Sequence, residues 1–479
     1  MTAMTSTSER FSVIIGQGDV ASLRAKLRGA LIVQADDGYE EARRVWNGMI
    51  DRRPAAIVRA AGVADVLAAL RFGREHDLRI AVRAGGHSVA GNGTVDGGIV
   101  IDLSPMKAVR VDPAAGRVQV GAGVTLGELD RETQAFGLAV PAGVFSPTGV
   151  AGLTLGGGLG WLTRRYGLSI DNLISADVVT ADGRLVHANE DQEAELFWGI
   201  RGGGGNFGIV TSFEFRAYPL GPTVLAGAVF YRRRRWADAL RFYADWAPGL
   251  RDELTTIISF ITPPPAWLPD ELRGETLMIV GFAWAGSDPV DAESALAALR
   301  AFGPPDFEIV ESTQWIDWQS SIDEVWPKGV RAYWKNASFD RLDDATIDTI
   351  IDGALRIPSA RTGVDIHHLD GAFARVPEDA TAFPNRTARY WLNIYAVWDD
   401  PADDEAAKTW ARQFHATMRP HGAAGEYVNF LGAEDRGADP RELALAAYGP
   451  EKLARLVALK DRFDPDNIFR LNHNIPPSR

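Results

Sequence analysis

The chain has 479 residues, which is long for one compact core, so two domains are expected. Its formal net charge of −13 disfavours nucleic acid and anionic membranes as partners, because both attract basic surfaces. Cysteine is absent, which excludes disulfides, thiolate metal sites and cysteine nucleophiles. The polar N-terminus, MTAMTSTSERF, lacks the apolar core of a signal peptide, and apolar runs such as Leu277–Gly286 are shorter than the ~20 residues of a membrane span. A soluble cytoplasmic protein is therefore expected.

The first part of the chain has the apolar spacing of short strands that alternate with helices. The spacing predicts strands at 55–60, 79–83, 98–103 and 209–218, and helices at 63–77, 126–136 and 190–198. Turn residues predict two hairpins, 108–111 with 117–121 and 177–180 with 184–188. This part, which ends near Pro222, is therefore predicted to be α+β with a small βαβ unit.

The second part differs in composition, because eleven of the 14 tryptophans lie between Trp236 and Trp410. Amphipathic helices and alternating strands such as Tyr390–Tyr395 predict another α+β domain. The tryptophans either line an aromatic substrate pocket or pack in the core and its rim. The run Arg232–Arg235 is interpreted as a solvated strand end rather than an anion site. The tail 463–477 is rich in Asn and Phe and is expected to pack on the first domain.

Three glycine clusters stand in the first part, and the first carries a histidine. Arg83-Ala84-Gly85-Gly86-His87-Ser88 places an imidazole beside glycines that allow close approach to the backbone. The other clusters are 149–161 and 201–208, and such exposed N–H groups suit a pyrophosphate. One cluster alone is equally explained by tight turns, whereas three favour a long phosphate-bearing cofactor. Gly203, Gly205 and Gly208 satisfy G-x-G-x-x-G, but the predicted strand that follows argues against a Rossmann site, and a P-loop motif is absent.

Five segments in order, RAGGHS, PAGVFSPTGVAGLTLGGGLGWLTRRYGLSIDNL, ELFWGIRGGGGNFGIVTSFEF, YVNF and FDPDNIFRLNHNIPP, resemble the berberine bridge enzyme-like flavoproteins of the vanillyl-alcohol oxidase/p-cresol methylhydroxylase superfamily. The resemblance runs from about Gly38 to the C-terminus and is loose in the middle. It implies an α+β two-domain flavoprotein. A p-cresol methylhydroxylase-type FAD-binding domain would span 1–220 with a C-terminal return at 435–479, and an antiparallel-sheet substrate domain would span 221–434.

The resemblance also implies how FAD is held. His87 would be the covalent anchor to the 8α-methyl of FAD, and the backbone around it would wrap the pyrophosphate. The implied FAD contacts are Arg83, Ala84, Gly85, Gly86, His87, Ser88, Thr148, Gly149, Gly152, Leu155, Gly156, Gly157, Gly160, Trp161, Asn206, Gly208, Ile209, Val210, Asn472 and Asn474. Many relatives carry a second link through cysteine in Pro-Ala-Gly-x-Cys, where this chain has Phe145. We therefore predict a single covalent bond.

Tyr427, in the segment YVNF, matches a family tyrosine that can serve as catalytic base. A free tyrosine pKa near ~10 requires a cation or the oxidised flavin to stabilise the phenolate, and a packing role is the alternative. The expected substrate contacts are His368, Asn393, Tyr395 and Asn429. Because strand neighbours face opposite sides, at most one of His367 and His368 reaches the pocket, and no metal site is expected. Arg386 resembles a family segment without an assigned role.

The predicted activity is that of an FAD-linked oxidase, which takes a hydride from an alcohol, sugar or amine and passes electrons to oxygen. One alternative is a dehydrogenase, in which a side chain near Thr148 keeps oxygen from the flavin. Another is a non-catalytic flavin-binding protein, which His87, Tyr427 and the tail motif disfavour. The substrate and the oligomeric state are left open.

Overall fold

The computed structural model describes residues 15–422, 425–433 and 439–479. The polar N-terminal segment and the expected domain boundary at 434/435 lie outside these ranges. In the described part of the chain, no helix is long and apolar enough to cross a membrane.

The glycine-rich part comprises the elements up to Pro219 together with the C-terminal helix and tail. Its strands are β1 Ala30–Val33, β2 Ala56–Arg59, β3 Ile80–Arg83, β4 Ile99–Asp102, β5 Val109–Asp112, β6 Arg117–Gly121, β7 Leu138–Ala139, β8 Leu173–Val179, β9 Leu185–Asn189, β10 Ile209–Arg216 and β11 Tyr218–Pro219. Its first helices are α1 Gln17–Lys26, α2 Tyr39–Ala42, α3 Val63–Glu75, α4 Leu126–Gln134, α5 Val150–Gly156, α6 Thr163–Tyr166 and α7 Ala194–Ile200.

Two larger sheets organise this part. The first has the order β1-β2-β4-β3, and α3 connects its parallel strands, which confirms the predicted βαβ unit. The second, of order β5-β6-β10-β8-β9, is antiparallel and contains both predicted hairpins. The helix predicted at 190–198 begins later, at Ala194, because the Asn189 side chain accepts hydrogen bonds from the backbone amides of Asp191 and Gln192 at 2.8 and 2.7 Å. This local turn delays the first helical residue.

The seven-stranded part follows. Its strands are β12 Thr223–Tyr231, β13 Leu254–Ile261, β14 Leu277–Trp284, β15 Phe307–Gln314, β16 Arg331–Phe339, β17 Gly363–His368 and β18 Tyr390–Trp398, in the order β15-β12-β14-β13-β17-β18-β16. Its helices are α8 Trp236–Trp246, α9 Pro289–Ala301, α10 Trp315–Ser320, α11 Asp344–Ala354, α12 Ala372–Arg375 and α13 Asp404–Met418. All pairings are antiparallel, so the α+β class with an antiparallel sheet is confirmed.

The seven-stranded sheet is covered on both faces. Helices α8, α11 and α13 share a core with one face, and the other face turns toward the glycine-rich part. All nine residues of β18 are buried as a result. The expected alternation of buried and exposed residues is therefore wrong for this strand, because neither of its faces meets solvent. The run Arg232–Arg235 is polar surface, as expected, and includes a short turn whose Arg234 pairs with Asp306.

The tail packs on the glycine-rich part, as predicted. It follows the helix α14 Pro440–Phe463, whose apolar face joins the first core together with Phe469 and Ile475. Lys460 and Asp464 form a fully buried ion pair at 2.7 Å, and the Lys460 ammonium also donates to the carbonyl of Asn206 at 2.9 Å. A buried charge pair of this kind is stabilising only when its remaining hydrogen bonds are made, so it fixes the tail against the third glycine cluster.

Candidate active site

A cavity lies between the glycine-rich part and the face of the seven-stranded sheet that turns toward it. Its volume is about 300 Å³, at the lower end of the ~300–1,000 Å³ usual for a ligand pocket. One wall is backbone of the three glycine clusters. The opposite end is made of side chains from β16, β17, β18 and the 3-10 turn Val428–Phe430.

The backbone wall depends on glycine where two segments cross. A Cβ on Gly85 would collide with the backbone of Gly149, and the reverse holds for a Cβ on Gly149. Gly86 next to it has φ +68°, a left-handed conformation that favours glycine. Gly152, one turn into α5, has no protein atom within 4 Å of an added Cβ. A side chain there would project into the cavity, so this face of α5 is shaped to let a ligand approach the backbone.

His87 ends the first glycine segment and is enclosed by aromatic rings. Its ring stacks on Trp46 with centroids 4.5 Å apart and lies 5.1 Å from the ring of Phe145. Desolvation lowers the pKa of His87 to about 4, so the imidazole is neutral at physiological pH. Its Nε2 atom is buried and has no hydrogen-bond partner. A neutral imidazole whose nitrogen lacks a hydrogen-bond partner at a cavity wall can act as a nucleophile or bind a ligand there.

Arg83 offers the cavity a second unused polar atom. Its Nη2 donates to the Asp102 carboxylate at 2.8 Å, and both side chains are buried. The Nη1 atom has no partner. Because an arginine anchored by one carboxylate retains donors for another anion, this group suits a phosphate at the backbone wall.

The third glycine cluster and the tail close the far end. Asn206 donates from its side-chain amide to the carbonyls of Gly203 and His473 at 2.8 and 3.1 Å. Asn472 in turn donates to the carbonyl of Gly205 at 2.8 Å. The strand Ile209–Arg216 follows this cluster directly. The G-x-G-x-x-G match is therefore not a Rossmann turn, as the sequence indicated.

Most of the residues expected at FAD line this one cavity. They are Arg83, Ala84, Gly85, Gly86, His87, Ser88, Thr148, Gly149, Gly152, Leu155, Gly156, Asn206, Gly208, Ile209, Val210 and Asn472.

Four expected FAD contacts lie outside the cavity wall: Gly157, Gly160, Trp161 and Asn474. Helix α5 ends at Gly156, and the chain then turns away from the cavity. Gly157 packs against Phe383, Gly160 against the Ala142 carbonyl, and Trp161 against Trp318 at a centroid distance of 5.1 Å. Gly157 and Trp161 thus join the two parts of the molecule, whereas Gly160 packs within the glycine-rich part. A glycine-rich motif does not distinguish such packing from ligand contact.

His368 also lies outside the cavity. Of these two adjacent histidines, His367 is the one that lines it. Strand alternation decides this, because Val364, Ile366 and His368 share the face that packs on the helices. The His368 ring lies between the Arg164 guanidinium, at 3.2 Å, and the Asp370 carboxylate, at 3.0 Å. Of the two histidines, only His367 is in a position to contact a ligand in the cavity, and desolvation lowers its pKa to about 4.

Tyr427 lines the cavity with its hydroxyl held by two N–H donors. The backbone amide of Gly158 donates at 3.0 Å and the side-chain amide of Asn429 at 2.9 Å. Burial raises the pKa of Tyr427, and these donors lower it in part. No charged group contributes to this pKa in the described part of the chain. Of the two stabilisers expected for a phenolate, a cation or the oxidised flavin, a cationic side chain is therefore not the one supplied.

The end of the cavity formed by β16, β17 and β18, named the substrate end after its expected role, contains a carboxyl group that was not predicted from the sequence. Asp365 lies on β17 two residues before His367 and lines the cavity together with Asn393 and Tyr395. The signal was a single acid within the buried strand segment Val-Asp-Ile-His, an unusual place for a charge. Trp326 and Trp334 also line the cavity, whereas most other tryptophans of this part are core residues. The core interpretation therefore holds for most tryptophans, and the substrate-pocket interpretation stays a prediction for Trp326 and Trp334.

A backbone-lined channel that ends at a neutral histidine and opens into a chamber of aromatic and acidic side chains is the arrangement of a flavoprotein oxidoreductase. Two family models match the chain, "FAD binding domain" over residues 54–189 and "Berberine and berberine like" over residues 426–476. The (R)-6-hydroxynicotine oxidase of Paenarthrobacter nicotinovorans is 32% identical over 472 residues, which span 94% of this chain and 97% of that protein.

Solved structures agree. The crystal structure of 6-hydroxy-D-nicotine oxidase from Arthrobacter nicotinovorans matches with a TM-score of 0.82 at 28% identity, over 94% of this chain and 98% of that chain. Glucooligosaccharide oxidase from Acremonium strictum shares the fold, with a TM-score of 0.83 at 24% identity over 96% and 99% of the two chains. The chain belongs to the berberine bridge enzyme-like family of FAD-linked oxidoreductases, and the resemblance drawn from its motifs is confirmed.

Proposed function

We propose that the protein is an oxidase that holds FAD in this cavity through one covalent bond to His87 and uses oxygen as electron acceptor. Its substrate is a small molecule with an oxidisable alcohol, sugar or amine carbon. The observation that carries the proposal is the position of His87. A neutral imidazole with an unpartnered nitrogen lies where the glycine wall meets the side-chain-lined chamber.

The residues of the wall fit an extended, phosphate-bearing cofactor. Gly152 leaves open space where a side chain would block it, and Arg83 retains an unpartnered donor. We assign the pyrophosphate to the backbone of residues 83–88, the adenine end to 206–210, and the ring system to α5, His87 and Asn472. Glycine-rich backbone donates N–H groups to phosphate without a side chain between them.

A single covalent bond is proposed because the second position lacks the necessary sulfur. The solved glucooligosaccharide oxidase carries a 6-S-cysteinyl, 8α-N1-histidyl FAD. This chain contains no cysteine, and Phe145 lines the cavity beside His87. The aromatic ring supplies packing in place of a bond.

The chain's own residues must position the substrate and accept its proton. FAD supplies the hydride acceptor when bound. Tyr427 is the proposed base, with its oxygen already facing the two N–H donors that would stabilise a phenolate. Asn429, which also donates from its amide to Tyr427, and the substrate-end residues Asn393 and Tyr395 would orient the substrate.

Precipitation with acid tests the covalent bond. We expect the yellow colour of the wild-type protein to remain in the pellet, and His87→Ala to release all of its flavin to the supernatant. The matched control is His187→Ala, which removes an exposed imidazole paired with Asp177 and should retain the colour. Free flavin in the wild-type supernatant would reject the proposed bond.

Anaerobic mixing with sugars, aromatic alcohols and cyclic amines tests the activity. A substrate bleaches the flavin absorbance, and readmitted air should restore it with one peroxide for each flavin. Flavin that stays reduced in air would indicate a dehydrogenase instead, and a flavin that no compound in any class reduces would argue against catalysis.

A further inference from the structure

Asp365 stands at the substrate end of the cavity without a counter-ion. Its carboxylate accepts hydrogen bonds from the Ser259 hydroxyl at 2.6 Å and the Tyr395 hydroxyl at 3.1 Å, and both donors are neutral. In the described part of the chain, no charged group contributes to its pKa, which burial raises to about 6. The carboxyl is therefore ionised above pH 7, and a partly buried carboxylate without a cation is destabilising.

The sheet holds this carboxyl firmly at the cavity. Asp365 pairs with Ser259 on one neighbouring strand and with Asn393 on the other. Gly363, two residues earlier, leaves room for the Tyr395 hydroxyl, because a Cβ there would come within 2.7 Å of that oxygen. A larger residue at this position would displace the hydroxyl that donates to Asp365.

A second acceptor lies beside the carboxylate. Asn393 is 5% exposed, and its Oδ1 atom has no hydrogen-bond partner. Since Asn393 is the strand partner of Asp365, the two acceptors face the cavity side by side. A protonated amine with two N–H donors satisfies both, whereas a ligand without donors leaves both unpaired.

Aromatic rings surround these acceptors. The Tyr395 ring lies 5.1 Å from that of Trp326 and 6.5 Å from that of Trp334. Phe430 lies 6.1 Å from Trp334 and completes the wall. Aromatic faces attract cations, and they offer a sugar few of the polar partners that its several hydroxyls require.

We propose that the substrate is an amine that binds as its ammonium form, with Asp365 as counter-ion and Asn393 as second acceptor. This deepens the proposed function and rests on it. Oxidation of such a substrate would transfer a proton from nitrogen to the Tyr427 phenolate, which the Gly158 and Asn429 N–H donors stabilise, and a hydride from the adjacent carbon to the cofactor, and it would leave an iminium ion. The ligand is a cation before and after the reaction, so Asp365 faces a positive charge in both states.

The test uses binding without turnover. The cation of 2-phenylpropan-2-amine has three N–H donors but no hydrogen on the carbon next to nitrogen, so it is bound without being oxidised, and tert-butylbenzene is its neutral isostere. Calorimetric titration of the holoenzyme at pH 8 should give at least tenfold tighter binding of the cation, a difference of about 1.4 kcal/mol. Asp365→Asn should abolish the preference. Asp399→Asn, which removes an exposed carboxylate at the end of β18, should keep it.

A pH series on the wild-type protein gives an independent readout if Asp365→Asn folds poorly. Affinity for the cation should fall as pH decreases from 8 to 5, because Asp365 becomes protonated, while affinity for the isostere stays constant. The other titratable groups that line the cavity are Arg83, His87, His367, Tyr395, Tyr427, Tyr448 and His473. Of these, His87 and His367 are neutral throughout this range because desolvation lowers their pKa values to about 4.

Equal affinity for the two probes, or a preference that survives Asp365→Asn, would overturn the proposal. The flavin content and the peroxide yield of the same preparation test the proposed function separately. A flavin-loaded oxidase without cation preference would reject only the amine assignment.

Discussion

The two ends of the cavity are built from different material. The glycine-rich end presents backbone, and its shape depends on the absence of side chains at Gly85, Gly149 and Gly152. The substrate end presents side chains from separate strands, Asp365, Asn393 and others. Backbone N–H groups suit a phosphate-bearing cofactor, so under the proposed function we expect the first end to hold FAD. Side chains differ in charge and shape, so we expect selectivity for one substrate at the second end.

Unpaired polar atoms occur at both ends, since Arg83 Nη1 and His87 Nε2 at the glycine wall also lack partners. At the glycine end, Asn206 and Asn472 bind carbonyls of their own wall and fix its shape. At the substrate end, Asn393 Oδ1 and the indole nitrogen of Trp334 are buried without partners. Buried polar atoms are rarely left unpaired, so these mark where the ligand completes the structure.

The largest expected effect comes from adding one methyl group to the backbone wall. Gly149→Ala places a Cβ against the backbone of Gly85, which cannot move aside as a side chain would. Overpacking of this kind costs about 1–3 kcal/mol or more. We expect a lower Tm and almost no bound flavin, measured by thermal unfolding and by absorbance.

Gly152→Ala is the matched variant, because its methyl group meets cavity and not protein. It should leave the Tm of flavin-free protein unchanged and reduce flavin incorporation. If both variants bound flavin normally, the backbone wall would not be the cofactor site, and the contrast between the two ends would fail.

A smaller effect is expected where the two ends meet. Tyr427→Phe removes the proposed base and leaves the Gly158 amide without its partner. General-base removal typically slows a reaction by about 10²–10⁴-fold, so anaerobic flavin bleaching should slow by at least about 10²-fold while the flavin stays bound. Stopped-flow absorbance measures this rate.

Tyr448→Phe is the control, since Tyr448 is another buried cavity tyrosine, whose hydroxyl donates to the Gly202 carbonyl at 3.3 Å. It should bleach at the wild-type rate. A Tyr427→Phe protein that bleached as fast as this control would assign Tyr427 to packing.

The last effect concerns stability alone and leaves cofactor binding and catalysis unchanged. Asp130 on α4 accepts hydrogen bonds from the indole of Trp315 at 3.1 Å and the amide of Gln319 at 3.2 Å, both on α10. It thereby joins the two parts of the molecule. Burial raises the pKa of Asp130 to about 6, above the ~3.9 of an unfolded chain.

The folded state therefore retains this proton between about pH 4 and pH 6, where the unfolded chain has lost it. Relative to Asp130→Asn, the wild-type protein should lose about 2–3 kcal/mol of stability as pH rises through this window, and the difference should be constant above it. Chemical denaturation of both proteins at pH 4.5 and 7.5 measures the change. A pH-independent difference would show that Asp130 titrates normally and that the junction is solvated.

At the glycine end, most residues that the sequence predicted to contact FAD lie in the cavity wall. Sixteen of the twenty residues expected at FAD line the cavity, because a glycine cluster and its flanks are contiguous in the chain. The misses, such as Gly160 and Trp161, lie just past the end of α5, where the motif continues but the helix stops. A sequence motif identifies the residues that form a turn, but it does not predict the direction in which the chain continues after the turn.

At the substrate end the choice between His367 and His368 could not be made from the sequence. Alternation required that only one reach the cavity, but which face of β17 packs on helices is decided by residues far away in the chain. Asp365 was missed for the same reason, since its partners Ser259 and Tyr395 lie on two other strands.

The sequence by itself therefore determined the family, the cofactor, the order of elements in the glycine-rich part and the absence of a cysteinyl bond. These follow from local patterns and from composition, which need no knowledge of neighbours in space. Only the tertiary structure decided which strand face meets the cavity, which carboxyl lacks a counter-ion and which asparagine oxygen is unpaired. Burial and pairing depend on contacts between distant segments, so they exist only once the chain has folded.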